Sequence, residues 1–169
     1  MFTRALWAGL GLSLAGDVAL LWPQQGFLPG LVAFLLAHLA YLWAFTRGVQ
    51  LAAWPQAFVA YGALAAAVLA WLWPGIPGGL RGPVVAYVLC LAAMAAQTAS
   101  AWRTARHTGY SGDRRRLAGA AVGGLLFLTS DALLAANRFH APVPLAALWI
   151  LATYWAAQWL IASALAPRR

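Results

Sequence analysis

Lysine and glutamate are absent from this 169-residue sequence, and Asp17, Asp113 and Asp131 are its only acidic residues. Charged residues make up 8% of the chain and hydrophobic ones 64%, where a soluble domain carries about a quarter charged residues to face water. That shortage excludes a water-facing globule. A single cysteine, Cys90, sits inside an apolar run, which excludes a disulfide framework and a thiolate metal cluster. There is no Walker loop, dinucleotide fingerprint, HExxH or HxxxH pair. Gly11-Leu12-Ser13-Leu14-Ala15 lacks the final glycine and the strand of a nucleophile elbow.

What the chain does have is apolar blocks of about 18–20 residues, the length that crosses a hydrocarbon core. They predict an all-α, polytopic transmembrane bundle of about six helices in a single domain, residues 1–169. The expected spans are about 5–22, 28–46, 56–73, 83–102, 117–136 and 145–166. Pro74-Gly75-Ile76-Pro77-Gly78-Gly79 is the strongest turn signal, and Pro83 suits the first turn of the fourth helix. The start, Met1-Phe2-Thr3-Arg4 before an apolar run, superficially looks like a signal peptide; with Asp17 inside it and no small-residue cleavage site, it reads as a retained helix.

All 11 cationic residues are arginine and the net charge is +8. Nucleic acid is excluded as a partner because the arginines fall between apolar blocks, as topology signals do. Six spans place Arg4, Arg47, Arg103, Arg106, Arg114, Arg115, Arg116, Arg168 and Arg169 on one side and only Arg81 and Arg138 on the other. Positive charge marks the cytoplasmic side, so both termini are expected there, in the inner membrane of a cell. The all-arginine, alanine-rich composition points to a bacterial, GC-rich coding sequence. Trp7, Trp22, Trp54, Trp73 and Trp102 fall near span ends, as an interfacial aromatic belt would.

Asp17 and Asp131 are the most informative positions. A carboxyl at membrane depth is costly and ordinarily faces the bundle interior with a task. Each lies five residues before the expected outer end of its span, about 8 Å inward at about 1.5 Å per residue, so two carboxyls of matched depth point to one shared cavity. Leu14-Ala15-Gly16-Asp17 also faintly echoes Leu128-Thr129-Ser130-Asp131. The bland alternative is a hydrogen bond to a neighbouring helix or a pair with Arg138. His38 and Tyr41, at i and i+3, share a helix face, as do Tyr154 and Gln158 at i and i+4; all four are supporting or substrate-binding candidates. Ser13, Gln97 and Ser100 read as glue between helices.

Two sequence blocks carry a resemblance. Ser13-Leu14-Ala15-Gly16-Asp17-Val18-Ala19-Leu20-Leu21-Trp22, with Phe27, Gly30, Phe34 and Ala37-His38-Leu39-Ala40-Tyr41, resembles the first motif block of the lysoplasmalogenase (YhhN-like) membrane family. Phe127-Leu128-Thr129-Ser130-Asp131-Ala132-Leu133-Leu134, Arg138-Phe139, Pro142 and Thr153 to Ile161 resemble its C-terminal block. The family resemblance implies about eight helices, with this chain starting at the third. It also implies hydrolysis of the vinyl ether of a lysophospholipid, to a fatty aldehyde and a glycerophospho-base. Asp17 and Asp131 would then be the catalytic acid and base, a division of labour familiar from glycosidases, with no metal and no cofactor. The partners so implied are the lysophospholipid substrate and membrane lipids.

Three other readings fit the residues. A proton-coupled transporter of a small lipid would use the aspartates as coupling sites. A metal-dependent amidohydrolase would use Asp17, His38 and His140 as ligands. A scaffold would need neither carboxyl for chemistry.

Overall fold

A computed structural model describes residues 2–22, 24–107 and 111–165. They form six α-helices: α1 (Phe2–Leu20), α2 (Phe27–Thr46), α3 (Pro55–Leu72), α4 (Gly78–His107), α5 (Ser111–Phe139) and α6 (Ala146–Leu165). A single 3-10 turn, Trp73–Gly75, follows α3. Among the described residues there is no strand. The five helices α2 to α6 each contain a stretch long and apolar enough to cross a membrane. Large apolar side chains lie exposed along the outside, among them Trp7, Val59, Leu89 and Trp159. Such a surface suits hydrocarbon rather than water. The chain is a multi-pass membrane protein. Helix α1, at 19 residues, is similar in length to α2, α3 and α6, but Arg4 and Asp17 lower its hydropathy. The C-terminal Pro167-Arg168-Arg169 lies outside the described residues.

Helix α4 is the most buried of the five apolar spans, because its inward faces are built from small side chains. Ala92, Ala95, Ala96 and Ala99 are all buried, and small residues let membrane helices approach closely. Its principal neighbours are α2, α3 and α5. Gly124 of α5 continues the close approach: a Cβ there would fall 2.6 Å from Thr98 Oγ1 and 3.0 Å from Ala95 Cα. The most extensive helix pairs are α1 with α2 and α5 with α6, and α1 touches α6 more lightly. Helices α1, α2, α4, α5 and α6 thus close a ring, with α3 on the outside of α4.

Some boundaries differ from the sequence expectation. Helix α4 starts at Gly78, so Pro83 lies inside it rather than in its first turn. Proline lacks the N–H that would bond one turn back, so α4 forgoes one bond near its start. Helix α1 ends three residues after Asp17, at Leu20, while α5 continues eight residues beyond Asp131, to Phe139. The two aspartates are therefore unequally far from their helix ends. Gln97 and Ser100 do not join α4 to another helix. The Gln97 amide nitrogen donates to the Val49 and Gln50 carbonyls at 3.0 and 3.3 Å, and its oxygen accepts from the Ala52 N–H at 3.2 Å. It ties down the α2–α3 loop, where Ala52 has φ 55°. The Ser100 hydroxyl donates to Ala96 O of its own helix.

Candidate active site

At the end of the bundle where α1, α3 and α5 finish lies a cavity of about 650 Å³, within the range of about 300–1,000 Å³ common for small-molecule sites. Its walls are mostly leucine, valine, alanine and phenylalanine. Asp17, Asp131, Tyr87, Tyr154, Ser130 and Asn137 supply its polar groups. Leu21, Leu151 and Trp155 line the cavity and are also 71%, 44% and 65% exposed on the outer surface. The edge of the cavity therefore reaches the outer surface on α6 and just past the end of α1.

Each aspartate meets a tyrosine hydroxyl. Tyr154 of α6 donates to Asp17 Oδ2 of α1 at 2.8 Å. Behind it the Gln158 amide donates to the Tyr154 oxygen at 3.1 Å, and the Tyr41 hydroxyl of α2 donates to Gln158 Oε1 at 2.8 Å. The three side chains form a directed chain of donors that ends on a carboxyl. At the second acid, the Tyr87 hydroxyl of α4 donates to Asp131 Oδ2 of α5. Ser130, beside Asp131, donates to Ile150 O of α6 at 3.0 Å and fixes α5 against that helix.

Local sequence explains these placements. In α1, Gly9, Ser13 and Gly16 share the face against α2. Gly9 leaves room for the Tyr41 ring, and a Cβ on Gly16 would fall 2.6 Å from the Phe34 ring. Phe34 meets Tyr154 edge to face at 5.9 Å, an arrangement aromatic quadrupoles favour. The small residues of α1 thus set where Phe34 and Tyr154 stand, and through Tyr154 where Asp17 is held.

The structure brings Asp17, Asp131 and Tyr154 to one cavity, with Tyr41 and Gln158 immediately behind Tyr154. His38 is placed differently. It is fully buried, edge-on to Phe127 at 4.5 Å and to Tyr87 at 5.4 Å. Neither ring nitrogen has a well-formed hydrogen bond, with only a looser approach to the Phe34 carbonyl one turn back. It stands behind the cavity wall as a support for Tyr87. Among the described residues no three His, Cys, Asp or Glu side chains gather as a metal would require. His140 lies instead against the Trp71 ring at 4.4 Å. Arg138 lies over the Phe27 ring at 3.9 Å.

Tyr87 was missed by sequence reasoning. A usable signal was present, since a phenol at membrane depth needs a partner for its hydroxyl. Tyr87 lies nine residues into α4, too deep for the interfacial belt.

The YhhN family model matches residues 1–165. The chain belongs to the YhhN family. Among its relatives, human lysoplasmalogenase TMEM86B is 38% identical over 161 residues, 95% of this chain and 62% of the human protein. Human lysoplasmalogenase TMEM86A is 34% identical over 160 residues, covering 93% of this chain and 63% of that protein. A lysoplasmalogenase of Mycobacterium tuberculosis is 33% identical over 143 residues, 80% of this chain and 50% of that protein. This YhhN chain thus spans about three fifths of the length of the human relatives. No solved structure matches it.

Proposed function

We propose that this protein is a lysoplasmalogenase, a membrane-embedded hydrolase that cleaves the vinyl ether of lysoplasmalogens through Asp17 and Asp131. The observation that carries the reading is one apolar cavity, with exposed apolar side chains on its edge, onto which both carboxyls face. Family membership and the names of the relatives support it. None of the relatives named above carries a transporter's name.

The chemistry requires few groups. One carboxylic acid donates its proton to the β-carbon of the vinyl ether, and the electron pair of the double bond forms the new C–H bond. The ether oxygen stabilises the resulting oxocarbenium ion, and the other carboxylate lies near that positive charge. The carboxylate then takes a proton from water as the water oxygen bonds to the α-carbon. The hemiacetal so formed gives its hydroxyl proton back to the first carboxylate as its bond to the glycerol oxygen breaks; that oxygen takes the proton held by the second carboxyl, and the fatty aldehyde leaves. One water is consumed and both carboxyls return to their starting states. Tyr154 and Tyr87 hold the two acids in place, and the apolar walls accept the chain. Neither metal nor cofactor takes part.

In this reading α1 is a sixth span and both termini face the cytoplasm of the inner membrane. The direct test is purified protein in detergent with a 1-alkenyl lysophospholipid. Release of fatty aldehyde and glycerophospho-base in equal amounts is expected. Absence of aldehyde from well-folded protein would overturn the assignment.

A further inference from the structure

The two acids of the cavity are held by unequal hydrogen-bond systems. We propose that Gln158 and Tyr41 fix Asp17 as the carboxylate of the pair, leaving Asp131 as the acid that protonates the vinyl ether. The inference rests on the lysoplasmalogenase reading and deepens it by dividing the two roles.

The chain that ends on Asp17 has one direction. The Gln158 amide oxygen accepts from Tyr41 at 2.8 Å, which turns the amide nitrogen to the Tyr154 oxygen at 3.1 Å. With that oxygen accepting, the Tyr154 hydrogen goes to Asp17 Oδ2 at 2.8 Å. Each donation polarises the next donor, and a hydrogen bond received by a carboxyl favours its charged form. Tyr41 is fully buried, and the Tyr154 ring is edge-on to Phe34 and Phe127 at 5.9 and 5.4 Å, so packing holds both phenols in the chain. For Asp17 to donate instead, the Tyr154 hydrogen would have to turn to Gln158, the amide to flip, and Tyr41 to find another acceptor. Three bonds stand against that reversal.

Asp131 has a phenol partner with no such chain behind it. Tyr87 bonds Asp131 Oδ2. Beside Tyr87 stand the His38 ring, whose nitrogens make no well-formed bond, and Cys90, whose thiol donates to Leu35 O at 3.7 Å. A carboxylic acid and a phenol can each donate to the other. The contact therefore survives with a proton on Asp131, and it steadies the carboxylate once that proton has left. The titratable groups facing the two carboxyls are Tyr41 from α2, Tyr87 from α4 and Tyr154 from α6. On α5, Arg138 stacks on the Phe27 and Phe139 rings, and α3 offers the cavity only Ala65, Val68, Leu69 and Leu72. In the cleavage Asp131 then gives its proton to the β-carbon, and Asp17 takes one from the attacking water. As the hemiacetal collapses, its hydroxyl proton returns to Asp131 and the proton on Asp17 passes to the glycerol oxygen. Gln158 and Tyr41 touch no reacting atom; they are positioning residues.

Infrared spectra read the proton without depending on cleavage, because a protonated carboxylic acid has a carbonyl band of its own. On the full chain in an ester-free detergent near neutral pH, wild type should show this band and Asp131→Asn should lose it. Tyr87→Phe should shift the band, and Tyr154→Phe should leave its position unchanged. A band that survives in Asp131→Asn, a band shifted by Tyr154→Phe instead of Tyr87→Phe, or a wild type without one would overturn the proposal. In turnover, Gln158→Met keeps the shape without the amide and should lower kcat about 2- to 10-fold, the worth of one neutral hydrogen bond, with KM little changed. Tyr41→Phe should follow it. The Gln158→Met loss should vanish when Tyr154→Phe is already present, since both lie on one chain, and should multiply with that of Tyr87→Phe, which serves the other acid. A loss that multiplies equally with both phenylalanine variants would assign Gln158 to the fold alone and overturn its positioning role. Absence of aldehyde release alongside a band that depends on Asp131 would defeat the hydrolase reading and leave the division of the proton standing.

Discussion

At the scale of single residues, few polar groups among the described residues face the open cavity: Asp17, Asp131, Tyr87, Tyr154, Ser130 and Asn137. Most of the others are spent locally. Thr98, Ser100, Thr129 and Thr153 donate to carbonyls of their own helices, and Gln97 is consumed by a loop. The tyrosines beside the acids should therefore matter to rate more than to folding. Tyr87→Phe keeps the ring between His38 and the cavity and removes only the hydroxyl. Loss of one hydrogen bond to a carboxylate should slow aldehyde release about 10- to 100-fold, with thermal stability in detergent nearly unchanged. Tyr154→Phe should behave similarly and also leave the Gln158 amide without its acceptor. His38→Leu probes packing, since its nitrogens make no well-formed bond. A small effect on rate per folded molecule is expected, read from turnover normalised to the monodisperse fraction.

At the scale of helices, two glycines on α1 provide a paired test. Gly11 has open space around a would-be Cβ, whereas Gly16 is pressed against the Phe34 ring. Gly11→Ala should be neutral or stabilise by up to about 1 kcal/mol through helix propensity. Gly16→Ala should cost about 1–3 kcal/mol by overpacking and should also lower activity, because Phe34 stands against Tyr154. Thermal melts and turnover of the two variants check both halves. The helices themselves were legible in the sequence because apolar length is the dominant membrane signal, and Asp17, Asp131, Tyr41, Tyr154 and Gln158 were legible as polar residues at depth. The Tyr154–Gln158 bond follows directly from i, i+4 spacing. Tyr87 was passed over because the expected span began at residue 83, which put it near a span end like an interfacial anchor; α4 starts at Gly78 and places it at depth. Gln97 was assigned to helix contacts for a related reason: a sequence shows that a buried amide needs partners, not that a loop will fold back to provide them.

At the scale of the molecule, the cavity joins opposite ends of the chain, with α1 and α6 on one side and α4 and α5 on the other. The orientation proposed for the bilayer rests on the arginines. Arg47 and Arg103 lie over Trp43 and Trp54 at 4.2 and 4.6 Å, near the ends of α2 and α4. An N-terminal tag should report the cytoplasm and a reporter in the Pro74–Gly82 turn the opposite side; the reverse would require another span count. The central claim is that Asp17 and Asp131, 114 residues apart in sequence, act as one unit, and a double-mutant cycle on vinyl-ether cleavage tests it most directly. Asp17→Asn and Asp131→Asn should each lower kcat about 10²–10⁴-fold in protein that remains folded and still binds lysolipid. The double variant should be little slower than either single one, because groups that act as a unit are not additive. Multiplied losses in the double variant, or near-wild-type turnover in folded Asp131→Asn protein, would contradict the account.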